Sequence, residues 1–249
     1  MRLSDFFTEI EQKNTSEEFL DFILKFEVIR KSNEKVVIRI DTQDGAYYGK
    51  FWIEKGLKRF LINSLKGGKR GTRELNGHTK LSKHGFCVPE VVRKGEKIFS
   101  FFYSVQWYVT KSISGFVGLD VLLTAPNENY DCVKRAAEGL IAIHRKGLCY
   151  GDYNFENVML DKNNNICYLD WMGVSECNST ASKLNDVAVF VYEIIANSKY
   201  KEKNKIISAF VNKYVSYNTF MKKDELLKTL QEKVYKKLRA KKIEYEIAF

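Results

Sequence analysis

The residues whose types and spacing could do chemistry lie between Gly147 and Gly173. Asp152 and Asn157 form an Asp-x-x-x-x-Asn pattern, and a second acid, Asp170, ends a short apolar run. A positioned carboxylate can accept the proton of a hydroxyl, while an amide oxygen and a second carboxylate are suited to hold Mg²⁺. This combination is typical of phosphoryl transfer, which needs positioning and neutralised charge more than covalent help from the protein.

The surroundings of these three residues make the pattern more specific. An Asp and an Asn in a loop are usually turn formers, so the spacing alone is weak. Here a predicted helix ends at Gly147, the loop follows, a hairpin turns at residues 163–165, and a Leu-Asp-x-x-Gly sequence closes at Gly173. The order helix, loop, hairpin and acid is that of a kinase catalytic segment.

Hydrophobic periodicity predicts the elements that must position this segment. Residues 4–25 have helical spacing with an N-cap signal at residues 14–16, and three strands joined by turn-rich separators predict an antiparallel meander. One helix and two further strands follow, which makes a five-stranded lobe with one helix inserted after the third strand. The strands are predicted at residues 27–31, 36–41, 47–53, 89–92 and 104–110, and the inserted helix at residues 70–84.

The second half of the chain is predicted to be mainly helical. A segment rich in serine and glycine, residues 112–118, is the candidate hinge. Helices are predicted at residues 130–146, 184–197, 202–214 and 223–242, with short strands at 158–160 and 166–169. We therefore expect an α+β fold with two domains, an N-terminal lobe with an extra N-terminal helix (residues 1–111) and a C-terminal helical catalytic lobe (residues 112–249).

Composition narrows the partners and the compartment. The net charge of +10 favours an anionic partner about as strongly as it favours ordinary solvated lysine. Five cysteines without a Cys-x-x-Cys pair argue against a disulfide framework or zinc site and for a reducing compartment. The acidic N-terminus does not resemble a signal peptide, and no apolar stretch is long enough to span a bilayer. We expect a cytoplasmic protein, with the inner face of the membrane as one possible location.

The chain resembles the protein-kinase-like superfamily and, within it, the lipopolysaccharide core kinases that phosphorylate a heptose of the inner core, relatives of the Kdo kinases. Residues 150–157 resemble that family's Gly-Asp-x-x-x-x-Asn loop, and residues 169–173 look like its counterpart of Asp-Phe-Gly. Residues 40–42 and 48–50 look like its second and third strands. The resemblance implies a protein-kinase-like bilobal fold with a small antiparallel-sheet lobe and a mainly helical large lobe.

The resemblance also implies roles for individual residues. Asp152 would be the catalytic base, Asn157 and Asp170 would hold Mg²⁺, and Lys50 would contact the inner phosphates of ATP. Glu74 would orient Lys50 through an ion pair, although a plain surface lysine and a solvated helix glutamate remain open for these two positions. The implied acceptor is the lipopolysaccharide core oligosaccharide, and no nucleic acid is expected.

Two departures from protein kinases bear on the substrate. The His-Arg-Asp triplet is replaced by Tyr150-Gly151-Asp152, so a phosphate-reading arginine and its regulatory switch are not expected. The stretch from Gly173 to Asp186 is short and has no Ala-Pro-Glu, which leaves little room for a peptide platform. Both departures favour a small or glycan hydroxyl. The open alternatives are a kinase of this fold acting on Kdo, an aminoglycoside or a protein, and a non-catalytic pseudokinase that binds an anionic surface.

Three further sequence features have structural interpretations. Asp186 is either an N-cap or an acceptor for backbone amides of the catalytic loop, and His144 is expected to be a hydrogen-bonded structural residue. The C-terminal helix is expected to bury an apolar face containing Leu227 and Leu230. Its lysines either form a solvated outer face or hold the protein peripherally at the anionic inner membrane.

Overall fold

The computed structural model describes residues 1–65, 68–122, 130–177, 179–197, 202–217 and 222–245. Its largest sheet has five antiparallel strands in the order β1-β2-β3-β5-β4, and the predicted meander of the first three strands is confirmed. The strands are β1 (Glu27–Lys31), β2 (Lys35–Thr42), β3 (Gly45–Lys55), β4 (Val91–Ser100) and β5 (Tyr103–Lys111). The register places Lys50 of β3 opposite Tyr108 of β5.

Two N-terminal helices cover one face of this sheet, where a single extra helix was expected. They are α1 (Leu3–Gln12) and α2 (Ser16–Ile23), and Thr15 begins the second helix with a capping box to Glu18. Their phenylalanines pack against Phe51 and Trp107 in one buried apolar cluster. Because side chains alternate along a strand, Lys50 and Tyr108 belong to the opposite face.

Between β3 and β4 the structure has two helices, α3 (Leu57–Leu65) and α4 (Arg70–Lys83), so the prediction of one inserted helix is wrong. The spacing of Leu57, Leu61 and Leu65 carries the helical signal that the prediction overlooked. All three side chains are nevertheless exposed, so the signal does not mark a core face. The second helix, α4, begins and ends as predicted within one residue.

The remaining elements surround the loop that contains Asp152. Strand β6 occupies part of the predicted hinge, where it pairs with β8, and β8 pairs with β9 around the predicted hairpin turn. Helix α6 packs on α8, and α7 packs on α9. These elements are β6 (Phe116–Gly118), α5 (Leu119–Leu122), α6 (Tyr130–Arg145), β7 (Leu148–Cys149), β8 (Val158–Asp161), β9 (Ile166–Tyr168), β10 (Ser175–Glu176), α7 (Thr180–Asn197), α8 (Lys203–Ser216) and α9 (Lys223–Ala240).

The chain forms two compact units. The first contains residues 1–75 and 89–114, and the second contains residues 76–88 and 115–249. Residues 76–88 therefore belong to the second unit, whereas the domain boundary predicted after residue 111 places them in the N-terminal lobe. Within the described ranges, none of the helices has both the length and the apolar character needed to cross a membrane.

Candidate active site

The loop between β7 and β8 holds Asp152 and Asn157 in contact. Nδ2 of Asn157 donates to the backbone carbonyl of Asp152 at 2.9 Å and lies 3.5 Å from its carboxylate. The backbone N–H of Asn157 donates to the side-chain oxygen of Asn154 at 3.1 Å, which fixes the short turn between them. Because Nδ2 is engaged as a donor, Oδ1 is the amide atom of Asn157 that could bind a cation.

Asp170 lies next to this loop in an unusual backbone conformation. Its φ of 51° is in the left-handed region, which Asp and Asn enter more readily than most other residues. The preceding residue, Leu169, donates its N–H to the carbonyl of Asn157 at 2.9 Å, so the two segments are joined by a backbone hydrogen bond. An amide oxygen and a carboxylate are hard oxygen donors, a set that fits Mg²⁺.

The surroundings of Asp152 raise the pKa of its carboxyl group. Desolvation of the carboxyl group by the surrounding protein is the main cause of this increase, and the negative charge of Asp170 raises the pKa further. Hydrogen bonds from Asn154 and Asn157 and the positive charge of Lys237 lower the pKa but do not cancel the increase. The desolvation is only partial, because Asp152 remains exposed to solvent, so a hydroxyl could reach its carboxylate.

A buried carboxylate inside α7 holds the backbone that precedes Asp152. Asp186 accepts the N–H of Tyr150 at 2.7 Å and the N–H of Gly151 at 2.8 Å. It lies well inside its helix, so it is the acceptor of loop amides and not an N-cap. His144 donates to the same carboxylate at 3.1 Å and contacts the hydroxyl of Tyr214 at 2.7 Å, which gives this histidine the structural role expected from the sequence.

Two glycines bring the catalytic loop against the segment that follows Asp170. A Cβ atom at Gly151 would lie 2.5 Å from the carbonyl oxygen of Gly173, and a Cβ at Gly173 would lie 2.8 Å from the carbonyl oxygen of Tyr150. The φ of Gly151 is +84°, which also favours glycine. The backbone of one segment therefore packs directly on the backbone of the other.

In the first unit, Lys50 and Glu74 form an ion pair. Glu74 is fully buried, and it also accepts hydrogen bonds from Trp52 Nε1 at 2.9 Å and from the hydroxyl of Tyr108 at 2.7 Å. A buried carboxylate needs such partners to remain charged. The structure therefore brings together the two residues that the sequence paired, with Trp52 and Tyr108 as further partners that the sequence analysis missed. The i, i+2 spacing of Lys50 and Trp52 on one strand was the available signal.

The turn between β1 and β2 lacks the glycines of a typical phosphate-binding loop but lies near positive charge. The hydroxyl oxygen of Ser32 accepts the N–H of Glu34 at 3.3 Å and that of Lys35 at 3.0 Å, which closes the turn. Arg70 pairs with Glu34, and the charged groups of Lys35 and Arg70 lie 4.9 and 5.6 Å from the ring centre of Trp52. Lys35 and Arg70 therefore lie near Trp52, on the face of the sheet that carries Lys50.

The cysteine count indicated no disulfide framework, yet the structure joins Cys149 and Cys177 by a disulfide, with their Cα atoms 5.0 Å apart. The reason is spatial: β7 and β10 pair and bring these distant positions side by side, which a count cannot reveal. The donor atoms of His144, Cys149 and Asp186 lie within 4.8 Å of one another. Each of the three already has a protein partner, so this cluster is structural.

Comparisons with known proteins identify the fold. No family model and no curated protein matches the sequence. Among solved structures, the chain is similar to WaaP in complex with acyl carrier protein, with a TM-score of 0.59 and 16% identity over 87% of this chain and 91% of that chain. It is also similar to WbdD bound to the kinase inhibitor LY294002, with a TM-score of 0.50 and 19% identity over 82% of this chain and 44% of that chain.

The predicted fold class, a small antiparallel-sheet lobe with a mainly helical lobe, is therefore confirmed. The resemblance to the lipopolysaccharide core kinases is confirmed at the level of the fold. Identities this low establish the fold alone, and the roles of Asp152, Asn157, Asp170, Lys50 and Glu74 remain predictions.

Proposed function

We propose that this chain is a cytoplasmic kinase that transfers the terminal phosphate of ATP to a sugar hydroxyl of the lipopolysaccharide inner core, specifically to a heptose. The observation that carries the proposal is the arrangement around Asp152. Its exposed carboxylate lies beside the amide of Asn157, on a loop whose backbone is held by the buried Asp186. The fold shared with kinase-like proteins supports phosphotransfer as the reaction class.

In this proposal Asp152 acts on the acceptor. The acceptor oxygen forms its bond to the transferred phosphorus while the bond from that phosphorus to ADP breaks, and the hydroxyl proton passes to the carboxylate. A raised pKa makes the ionised carboxylate a stronger proton acceptor. Hydrogen bonding within the loop fixes where the carboxylate lies, which is a large part of what phosphoryl transfer requires of a protein.

Other residues would serve the nucleotide. Lys50 would pair with the inner phosphates of ATP. Glu74, which accepts hydrogen bonds from Trp52 and Tyr108, would hold the charged group of Lys50 in place. Oδ1 of Asn157 and the carboxylate of Asp170 would hold Mg²⁺. When bound, this ion supplies neutralisation of the phosphate charge.

The acceptor class is argued from what the chain has after Asp170. Among the described residues between Gly173 and the start of α7 at Thr180, the two-residue strand β10 is the only regular element. It is further tied to β7 by strand pairing. Such a short, anchored segment gives a peptide substrate little surface to bind, which favours a glycan hydroxyl.

The test is a phosphotransfer assay with ATP, Mg²⁺ and purified core oligosaccharide, read by mass spectrometry. We expect one added phosphate on a heptose with the parent protein. Asp152→Asn keeps the shape of the side chain but loses the proton acceptor, and we expect turnover to fall by about a hundred- to ten-thousand-fold. Nucleotide binding should remain nearly unchanged.

Parallel reactions with Kdo, an aminoglycoside and a generic protein substrate distinguish the alternatives. Transfer to one of these and not to the core oligosaccharide would keep the kinase assignment and replace the substrate. ATP binding without transfer to any acceptor would contradict the proposal and favour a non-catalytic module.

A further inference from the structure

A cavity of about 320 Å³ lies beside the catalytic loop in the second unit. This volume is at the lower end of the range for small-molecule sites. The cavity is lined by polar groups from three elements, with Gly151 contributing backbone next to Asp152. The lining includes Gly151, Ser175, Ser182, Asn185, Asp186 and Lys233.

One basic and one acidic residue line this cavity, Lys233 and Asp186. Both carboxylate oxygens of Asp186 are engaged, one by the N–H of Gly151 and the other by the N–H of Tyr150 and by His144. Among the residues that the structure describes, Lys233 has no carboxylate within ion-pair distance. The oxygens of Asp186 are thus occupied by other donors, whereas Lys233 lines the cavity without an ion-pair partner, beside Ser175, Ser182 and Asn185, whose side chains can donate hydrogen bonds.

Lys233 comes from α9, and the way this helix packs sets its direction. The helix buries Leu226, Leu230, Val234 and Leu238, so Leu226 takes the place that the sequence analysis gave to Leu227. Lys233 and Lys237 are half-buried at the border of this face, while the neighbouring Lys236 and Arg239 are exposed. Residues four apart lie on the same side of a helix, about 6 Å along its axis.

Lys237 lies one helical turn after Lys233 on the same side of α9, and both residues are half-buried. The two lysines therefore follow one side of α9, with Lys233 lining the cavity. The proposed proton transfer uses neither lysine. A different role must therefore account for their position.

We propose that this cavity binds an anionic group of the acceptor, a phosphate or a carboxylate already present on the sugar, with Lys233 as the charge partner and Lys237 as a positioning residue. The inference rests on the proposed function and deepens it, since it restricts the acceptor to glycans that already carry an anionic group. An anion at Lys233 would orient the rest of the acceptor along the loop so that a hydroxyl reaches Asp152.

The test is a titration of the nucleotide-free protein with inorganic phosphate, followed by backbone amide NMR shifts. Saturable shifts are expected at the amides of Gly151, Ser175, Ser182 and Asn185. In Lys233→Met the dissociation constant for phosphate should rise about tenfold or more, because a charge-assisted hydrogen bond is lost. Lys233→Arg should restore binding, and Lys236→Met, an exposed lysine of the same helix, should leave it unchanged.

Two sugar probes identify the source of the anion. Glucuronate should bind at the same amides if a carboxylate is accepted, glucose 6-phosphate if a phosphate ester is accepted, and glucose should shift none of them. Equal weakening by Lys233→Met and Lys236→Met, or no saturable shifts at these four amides, would overturn the inference even if phosphotransfer is observed. Missing phosphotransfer with an intact, Lys233-dependent phosphate response would instead contradict the proposed function.

Turnover gives an independent measurement for Lys237. Lys237→Met should raise the KM for the acceptor at least about threefold and leave the KM for ATP unchanged, because only the acceptor is oriented by this charge. An equal rise in both KM values would mean that the substitution disturbs the fold of the loop, and Lys237 would lose its role as a positioning residue.

Discussion

His144 and Asp186 form a buried pair in which Nε2 of the imidazole lies 3.1 Å from a carboxylate oxygen. Since a carboxylate only accepts, Nε2 carries the proton, and Nδ1 accepts the hydroxyl of Tyr214. The same carboxylate holds the amides of Tyr150 and Gly151. Through Asp186, the histidine therefore supports the loop that contains Asp152.

The first prediction concerns pH and stability. Burial lowers the pKa of His144 from its ordinary value of 6.5, and the opposing effect of Asp186 is smaller. The unfolded chain therefore takes up a proton at this position as the pH falls through about 6.5, before the folded protein does. The stabilising contribution is fully present above that value and is lost on acidification.

Between about pH 7.5 and about pH 5.5 this effect can reach at most about 1.4 kcal/mol in the free energy of unfolding. Urea unfolding of the parent and of His144→Gln at both values should show a smaller pH dependence for the variant. His84→Gln, which replaces an exposed histidine, is the control. An identical pH dependence in His144→Gln and the parent would contradict the assignment.

The second prediction concerns metal binding at Asp170. Asp170→Asn is the suitable change because asparagine tolerates the left-handed backbone at this position and keeps an oxygen ligand, so only the charge is lost. Calorimetry should show weaker binding of ATP in the presence of Mg²⁺, with little change in its absence. Asp131→Asn, at an exposed acid of α6, should behave like the parent. Equal metal-dependent affinity in Asp170→Asn and the parent would remove Asp170 from the metal site.

Much of this site could be predicted from the sequence because its elements are local. The loop from Asp152 to Asn157 closes on itself, and Lys50 lies in a strand whose alternation is visible in Tyr48 and Trp52. The cavity residue Lys233 could not be found in this way. Helical spacing indicates that α9 has an apolar face, but only its packing on α7 decides which lysines border that face.

The contrast between local signals and long-range packing also explains the other differences between the sequence predictions and the structure. Capping at Thr15 is a local signal, so the N-cap at residues 14–16 could be predicted, although a single extra helix was expected there. The disulfide between Cys149 and Cys177 depends on the pairing of two short strands, β7 and β10, that carry no periodic signal of their own. The contact between Glu74 and Tyr108 depends on the register of β3 against β5. No single turn joins these two strands, so turn residues do not determine that register.

The third prediction tests the strand register at Lys50. Lys50→Met removes the charge that would face the phosphates, and we expect transfer to fall by at least about a hundredfold with Mg²⁺ saturating. Lys55→Met, at the exposed end of the same strand, should retain activity. Because the change leaves Glu74 buried without its cation, the unfolding transition of Lys50→Met must be measured alongside. Loss of activity in Lys55→Met instead would mean that the wrong lysine has been chosen.

The fourth prediction concerns the membrane. The exposed basic residues of α9 and its end, and not the half-buried Lys233 and Lys237, are those that could reach an anionic surface. Sedimentation with vesicles that contain phosphatidylglycerol at low salt should be lost when Lys228, Lys236, Arg239 and Lys241 are changed to Glu. Salt should have the same effect on the parent, since it screens such contacts.

In that experiment Lys233→Met with Lys237→Met is the matched control, because it removes charge from the same helix without touching its exposed side. It should sediment like the parent. A parent protein that never sediments with the vesicles, or a fourfold reversal that still does, would leave α9 as a helix that only packs on the large lobe.

The backbone contact between Gly151 and Gly173 has a consequence for how this chain can change over time. Restoring an arginine before Asp152, as protein kinases have it, would place a Cβ 2.5 Å from a carbonyl oxygen and force a residue with a side chain into a φ of +84°. No single substitution at position 151 avoids both problems. A single substitution at position 151 therefore cannot introduce an arginine that binds a regulatory phosphate. Placing this protein under such control would require redesign of both backbone segments together.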